Sequence, residues 1–327
     1  MRRPSTIIRS TAPILSVLTR LSSETDVDIR VFRDDLYPFT GGGNKARKIQ
    51  SFLPDILDKN CNALVTTGGL QSNHARVVAL VAAAHHWKCT LVLHGDPAEL
   101  QSPSGNLLLM KLAGAQIRVV SPDQIGREMQ YAMRDLRRAG HQPYEIPGGG
   151  HHILGGSAYV KAVFELEEIC LTDRWRPDWI VLASGTGTTQ AGICTGIQQL
   201  GWHTRVVGIS VARRNPRGKS IVINVAQQLQ EHFNLPLDAT CVDFRDDWVG
   251  DGYEMSTPTV LQTIDQAARE GIILDPTYTG KAFTGLLDMI NSGEIRRGER
   301  VVFWHTGGLL NLLASSGTRL FFSNHIP

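Results

Sequence analysis

No apolar run in this 327-residue chain approaches the roughly 20 residues that a membrane-spanning helix needs. The longest, Val77 to Ala84, is short and rich in alanine, so no membrane partner is expected. An excess of one charge is also missing. Lys and Arg number 33 against 31 Asp and Glu, a net charge of +2. That balance gives no reason to expect a nucleic-acid or acidic-surface partner. Cysteine is scarce: Cys61, Cys89, Cys170, Cys194 and Cys241 are odd in number and show no paired spacing. They fit small buried residues in a reducing compartment, not a disulfide frame or a zinc site. Internal repeats and low-complexity tracts are absent as well. The first residues carry Arg2, Arg3, Arg9 and Arg20 among Ser and Thr, with no acid before Glu24, a composition that loosely fits a transit peptide. Against it, Pro13-Ile14-Leu15 with Leu18 and Leu21 has the pattern of folded chain and follows no long polar spacer. The expectation is a cytoplasmic protein.

What is present is alternation. Short apolar stretches read as strands over Asp28–Arg33, 63–67, 90–93, 116–120, 179–183, 205–209 and Arg300–His305. Helical periodicity lies between them, over 47–57, 73–85, 105–112, 127–139, 156–171, 190–200, 219–232, 257–270 and 280–292. This β-α order predicts an α/β fold of parallel sheets with helices on both faces. The length suits two domains of moderate size. Ile146-Pro-Gly-Gly-Gly150 is the candidate crossing between them.

Lys45 stands in Gly41-Gly-Gly-Asn-Lys-Ala-Arg-Lys48, where a glycine loop delivers a lysine to the first turn of a helix. The positive helix N-terminus disfavours an ammonium there, and a lysine with a lowered pKa forms Schiff bases readily. Taken alone, Lys45, Arg47 and Lys48 also fit a solvated basic face. Glycine-rich loops follow several strands, the place where open α/β sheets bind ligands. Ser184-Gly185-Thr186-Gly187-Thr188-Thr189 opens the helix from Gln190 and suits a phosphate monoester. It is not a P-loop, and Gln190 takes the third glycine position of a dinucleotide fingerprint. Arg213 and Arg214 keep a weak nicotinamide alternative open through a 2′-phosphate. Gly68-Gly69-Leu70-Gln71-Ser72-Asn73-His74 caps another helix. There Ser72, Asn73 and the helix amides together suit a carboxylate or phenolate, whereas His74 fits a surface residue equally well. Tyr278, in Asp275-Pro276-Thr277-Tyr278-Thr279-Gly280-Lys281, is either a packed aromatic or an acid/base phenol. Thr306, after the last strand, can donate to or accept from a ring nitrogen. A lysine nucleophile, a monophosphate loop and an asparagine loop on an α/β frame suit pyridoxal 5′-phosphate as cofactor.

With these segments assembled, the chain resembles fold-type-II pyridoxal-phosphate enzymes, and within them the group of D-cysteine desulfhydrases and 1-aminocyclopropane-1-carboxylate (ACC) deaminases. The likeness runs from about Pro13 to about Gly308 and is carried by Arg33-Asp-Asp-Leu36, Gly42-Gly-Asn-Lys-Ala-Arg-Lys48, Gln71-Ser-Asn-His74, Ile146–Gly150, Ala183–Gly192, Leu274–Lys281 and His305–Gly308. It implies a tryptophan synthase β-like fold of two open, twisted, mainly parallel sheets. Residues 1–44 plus 155–327 would form a larger cofactor-binding domain and 45–154 a smaller one, with the active site between them. It also implies roles. Lys45 would carry the cofactor and shuttle protons, Asn73 would bind the ring hydroxyl, and Thr306 would stand near the ring nitrogen. Ser184, Gly185, Thr186, Gly187, Thr188 and Thr189 would hold the phosphate. Ser72, with Asn73 and His74, would hold a small amino-acid substrate near Tyr253 and Tyr278, and the assembly would be a homodimer.

Two positions bear on the substrate. The ACC deaminases typically carry glutamate where this chain has Thr279 and glutamine where it has His74. Both departures lean toward the desulfhydrase branch and a β-elimination that converts D-cysteine to pyruvate, sulfide and ammonia. The alternatives are ACC deamination, elimination from cysteate or serine, and a non-catalytic pyridoxal-phosphate-binding protein. His151-His152, Asp96–Ser104 and Asp251–Met255 depart from the resemblance and are expected to reshape the substrate pocket.

Overall fold

The computed structural model describes residues 14–253 and 255–315; the arginine-rich start, Arg2 to Arg9, lies outside them. The described strands form two sheets. The six-stranded sheet runs in the order β1 (Leu15–Val17), β2 (Asp28–Arg33), β10 (Arg300–His305), β7 (Trp179–Ser184), β8 (Arg205–Ser210), β9 (Asp243–Arg245). Only β1 is antiparallel, pairing Leu15 with Phe32. The four-stranded sheet, all parallel, runs β5 (Gln116–Val119), β4 (Lys88–His94), β3 (Ala63–Gly69), β6 (Pro143–Glu145).

Each sheet is covered on both faces. In β7 all six residues are buried, because Val181 and Ala183 point into one core and Ile180 and Leu182 into the other. A strand covered on both sides reads as one apolar run, not as alternation. Helices α1 (Thr19–Thr25), α9 (Pro258–Ala268) and α10 (Thr279–Asn291) fill the first core, and α6 (Ile153–Asp173), α7 (Thr188–Gln199) and α8 (Arg217–His232) fill the second. On the smaller sheet, α2 (Asn44–Asp58), α3 (Asn73–Ala84) and α4 (Gly105–Leu112) pack on one face and α5 (Ile125–Arg138) on the other. The last described helix, α11 (Leu309–Ala314), packs on α4. No helix among the described residues is long and apolar enough to cross a membrane.

Elements without a sequence signal are short. β1, β6 and β9 have three residues each, too few to show a period. β6 begins with Pro143 at a sheet edge, where the missing N–H costs no ladder bond.

The basic run after Lys45 is not a solvated face. Arg47 and Lys48 are buried. Arg47 donates through Nε to Asp34 Oδ1 at 2.9 Å and through Nη1 to Glu165 Oε2 at 2.7 Å. The second oxygen of Asp34 accepts from Trp304 Nε1 at 2.9 Å and from the Tyr159 hydroxyl. One buried carboxylate thereby ties α2 to β10 and α6.

Candidate active site

Strands of both sheets end at one cavity of about 430 Å³. Thr67 to Gly69 of β3, Ser72, Asn73 and His74 at the start of α3, and His94 at the end of β4 line the smaller-sheet wall. Ala183 to Gly187, Thr189, Val211 to Arg213, Tyr253, Tyr278 and Thr306 line the other. Lys45 lies between them, and no Asp or Glu lines the cavity among the described residues.

Lys45 owes its place to the glycines before it. Gly41, Gly42 and Gly43 all have positive φ, and a Cβ at Gly42 would stand 2.1 Å from the Asp35 carbonyl oxygen. The amide of Gly43 donates to Asp34 O at 2.7 Å and that of Asn44 to Thr306 O at 3.0 Å. These bonds fix the first turn of α2 against the end of β10. Lys45 Nζ donates to Gly149 O at 3.1 Å. The amine is enclosed by the cavity walls, and this loss of water lowers its pKa to about 8, with help from the Arg213 guanidinium. Enclosure, which the sequence does not display, is the leading cause of the shift.

On the smaller-sheet wall, Ser72 caps α3, its Oγ accepting from Ala75 N at 3.2 Å. Asn73 Oδ1 accepts from Asn106 Nδ2 at 2.9 Å. His74 is buried, not on the surface. Its Nε2 lies 2.8 Å from Thr66 Oγ1, whose own hydrogen goes to Ile146 O at 2.7 Å. Thr66 therefore accepts, Nε2 carries the proton, and Nδ1 is a bare acceptor. Burial and then the nearby Lys45 and Lys48 hold the ring well below its usual pKa, so it is neutral. Nδ1 of His74 and Oγ1 of Thr67, from two residues that line the cavity, are buried without a partner among the described residues.

The opposite wall carries the candidate anion loop, Ser184 to Thr189. Gly187, with φ of +83°, is the N-cap of α7, and a Cβ there would stand 2.8 Å from Val222 Cγ2. The amides of Thr188, Thr189 and Gln190 precede the first intrahelical bond, Ala191 N to Gly187 O at 2.9 Å, and so remain available to an anion. Thr189 Oγ1 accepts from Asn44 Nδ2 at 3.2 Å. Thr188 Oγ1 lies 2.9 Å from His151 Nδ1 and 3.4 Å from Thr186 Oγ1 on the cavity wall; the Thr188 amide stays open to an anion. Gln190 is buried against Ser184 Oγ at 2.8 Å and Asp243 O at 2.6 Å. Its side chain fills the space a dinucleotide fingerprint leaves open, since a Cβ on Gly208 would meet Gln190 Oε1 at 1.9 Å.

Tyr278 precedes α10. Its amide donates to Asp275 Oδ2 at 3.0 Å, and its hydroxyl is in hydrogen-bond contact with that of Tyr253. Thr279 does not line the cavity. It is buried, with Oγ1 donating to Asp275 Oδ1 at 2.7 Å, so it is linked to the cavity only through the Asp275 turn.

The departures expected to reshape the pocket mostly lie elsewhere. His151 braces the anion loop from behind, His152 caps α6 and packs 5.5 Å from Phe52, and none of residues 96–104 lines the cavity. Of the 251–255 segment, Tyr253 alone among the described residues reaches it. Sequence reasoning overlooked Asn44, His94 and Gly149, and gave Arg213 a different use. His94 ends β4 and Arg213 follows β8, so the rule that pointed to the other loops also covers them.

The profile of the pyridoxal-phosphate dependent enzyme family matches residues 12–307. A D-cysteine desulfhydrase of Salmonella choleraesuis is 33% identical over 308 residues, covering 92% of either chain. An ACC deaminase of Burkholderia vietnamiensis is 35% identical over 285 residues, covering 84% of each. A crystal structure described as an ACC deaminase homologue superimposes with a TM-score of 0.84 at 35% identity, covering 92% of this chain and 91% of the other.

Proposed function

Since the chain belongs to the pyridoxal-phosphate dependent enzymes and is a lyase of the D-cysteine desulfhydrase and ACC deaminase type, we propose that it converts D-cysteine and water to pyruvate, hydrogen sulfide and ammonia. The observation that carries this reading is the meeting of Lys45, the Ser72–His74 helix start and Tyr278 in one cavity that no acid among the described residues lines. His74, where ACC deaminases typically have glutamine, favours the desulfhydrase branch.

The residues present fit pyridoxal phosphate. Lys45 is an amine of lowered pKa, the α7 amides with Gly185, Thr186, Gly187 and Thr189 suit its phosphate, and Ser184 supports that loop through Gln190. Asn73 would hold the ring hydroxyl, and Thr306 would stand near the ring nitrogen. The bound cofactor supplies an electron sink for charge developing at the substrate α-carbon. The protein does the rest. Ser72 and the α3 amides hold the substrate carboxylate, and His74 Nδ1 accepts from its amine. Lys45 takes the α-proton. Tyr278, oriented by Tyr253 and the Asp275 turn, donates a proton to the departing thiolate. In the same reading residues 45–154 form the smaller domain, 1–44 plus 155–327 the larger, and the protein works as a cytoplasmic homodimer, which light scattering checks.

In cofactor-free protein the neutral fraction of Lys45 grows as pH rises through about 8. The rate of pyridoxal phosphate capture should therefore rise with pH and level off above about 8. Arg213→Met removes a neighbouring positive charge and should move that inflection upward. An unmoved inflection would show that Arg213 has no share in it.

Incubation of the loaded protein with D-cysteine, L-cysteine, D-serine, L-cysteate and ACC, with 2-oxo acid and sulfide measured together, tests the substrate. Pyruvate with sulfide from D-cysteine supports the proposal. A 2-oxo acid from ACC with no sulfide from cysteine overturns it in favour of ACC deamination, the reading that the Burkholderia relative favours.

A further inference from the structure

Lys281 is a buried lysine that the chemistry above does not use. It lies in the first turn of α10 with 1% of its surface exposed. Its Nζ donates to Val249 O at 2.8 Å, Gly252 O at 2.8 Å and Val211 O at 3.4 Å. An ammonium has three hydrogens and no acceptor, and these three carbonyls use all of them. Placing such a group inside a protein is costly unless every hydrogen is bonded, and a hydrocarbon side chain would fill the space without that cost. What the lysine adds is the joining of two segments, and both end at the cavity. Val211 begins the turn that continues into Ala212 and Arg213, all three on the wall. Val249 and Gly252 belong to a stretch with no helix or strand that delivers Tyr253, whose hydroxyl meets that of Tyr278. Arg214 holds the outer side of this loop, donating to Gly250 O at 2.9 Å; Lys281 holds the inner side.

We propose that Lys281 is a positioning residue of the active site, whose ammonium pins the Val249–Tyr253 loop to the Val211–Arg213 turn so that the Tyr253 and Tyr278 hydroxyls meet at the cavity. The kinetic part of its test rests on the D-cysteine reading; the exchange part does not. In the cofactor-loaded enzyme, Lys281→Met should raise amide hydrogen exchange across residues 249–253 by about tenfold or more while β8 and α7 stay protected. Lys281→Gln, which keeps a donor, should give an intermediate rise and serves if the methionine variant does not fold. With D-cysteine, Lys281→Met should lower kcat/KM by about tenfold, and Tyr253→Phe should then cost less in that background than in the wild type, since both changes break one arrangement. Cofactor affinity should be unchanged. Unaltered exchange at 249–253, or fully additive losses, overturns the proposal. If the wild type does not turn over D-cysteine, the substrate reading fails and the exchange result alone decides the role of Lys281.

Discussion

Lys45→Ala should remove the visible absorption band of the lysine-bound cofactor and lower turnover by on the order of 10⁴-fold or more, since it deletes both the covalent anchor and the proton carrier. The fold should survive. Lys45 makes one side-chain hydrogen bond, to Gly149 O at 3.1 Å, and its loss enlarges a cavity that is already open. Neighbouring Lys48 is a useful contrast, because it is fully buried three residues on and does not line the cavity. Absorbance spectra, steady-state rates and a thermal melt check the expectation together. A retained band with retained turnover would contradict the role given to Lys45.

Asp34→Ala should cost about 3 kcal/mol of stability or more, the range for removing one partner of a buried ion pair. Arg47 would keep only Glu165, which is partly exposed, and both Trp304 Nε1 and the Tyr159 hydroxyl would lose their acceptor. The damage should reach the site. The Asp34 carbonyl accepts from Gly43 N at 2.7 Å, so a loosened 34–36 turn loosens the start of α2 and with it Lys45. The prediction is a lower urea midpoint together with weaker pyridoxal phosphate binding. A loss below about 1 kcal/mol would mean that the site relaxes enough to hydrate Arg47.

Much of the frame was legible because its signals are local. β2 and β10 occupy the strands expected over Asp28–Arg33 and Arg300–His305, and the glycines at the ends of β3, β7 and β10 mark strand ends. The nine longer helices announce themselves by period. The Gly41–Gly43 run before Lys45 foretells positive φ, which the backbone adopts at all three. What stayed hidden depends on contacts between distant residues. Asp34 looks like any loop acid until Arg47, Tyr159 and Trp304 surround it. His74 read evenly as surface, yet it is buried, its Nε2 bonded to Thr66, whose hydroxyl is in turn fixed by the distant Ile146 carbonyl. Thr188 belongs to the candidate anion loop by sequence, and His151, distant in the chain, meets its hydroxyl. The resemblance singles out Thr279 as bearing on the substrate, yet its hydroxyl is spent on Asp275.

The most direct test is to load the protein with pyridoxal phosphate, reduce it with borohydride and map the modified peptide by mass spectrometry. The account predicts a single pyridoxyl group, on Lys45. A label on Lys48 or Lys281, or no label at all, would contradict it.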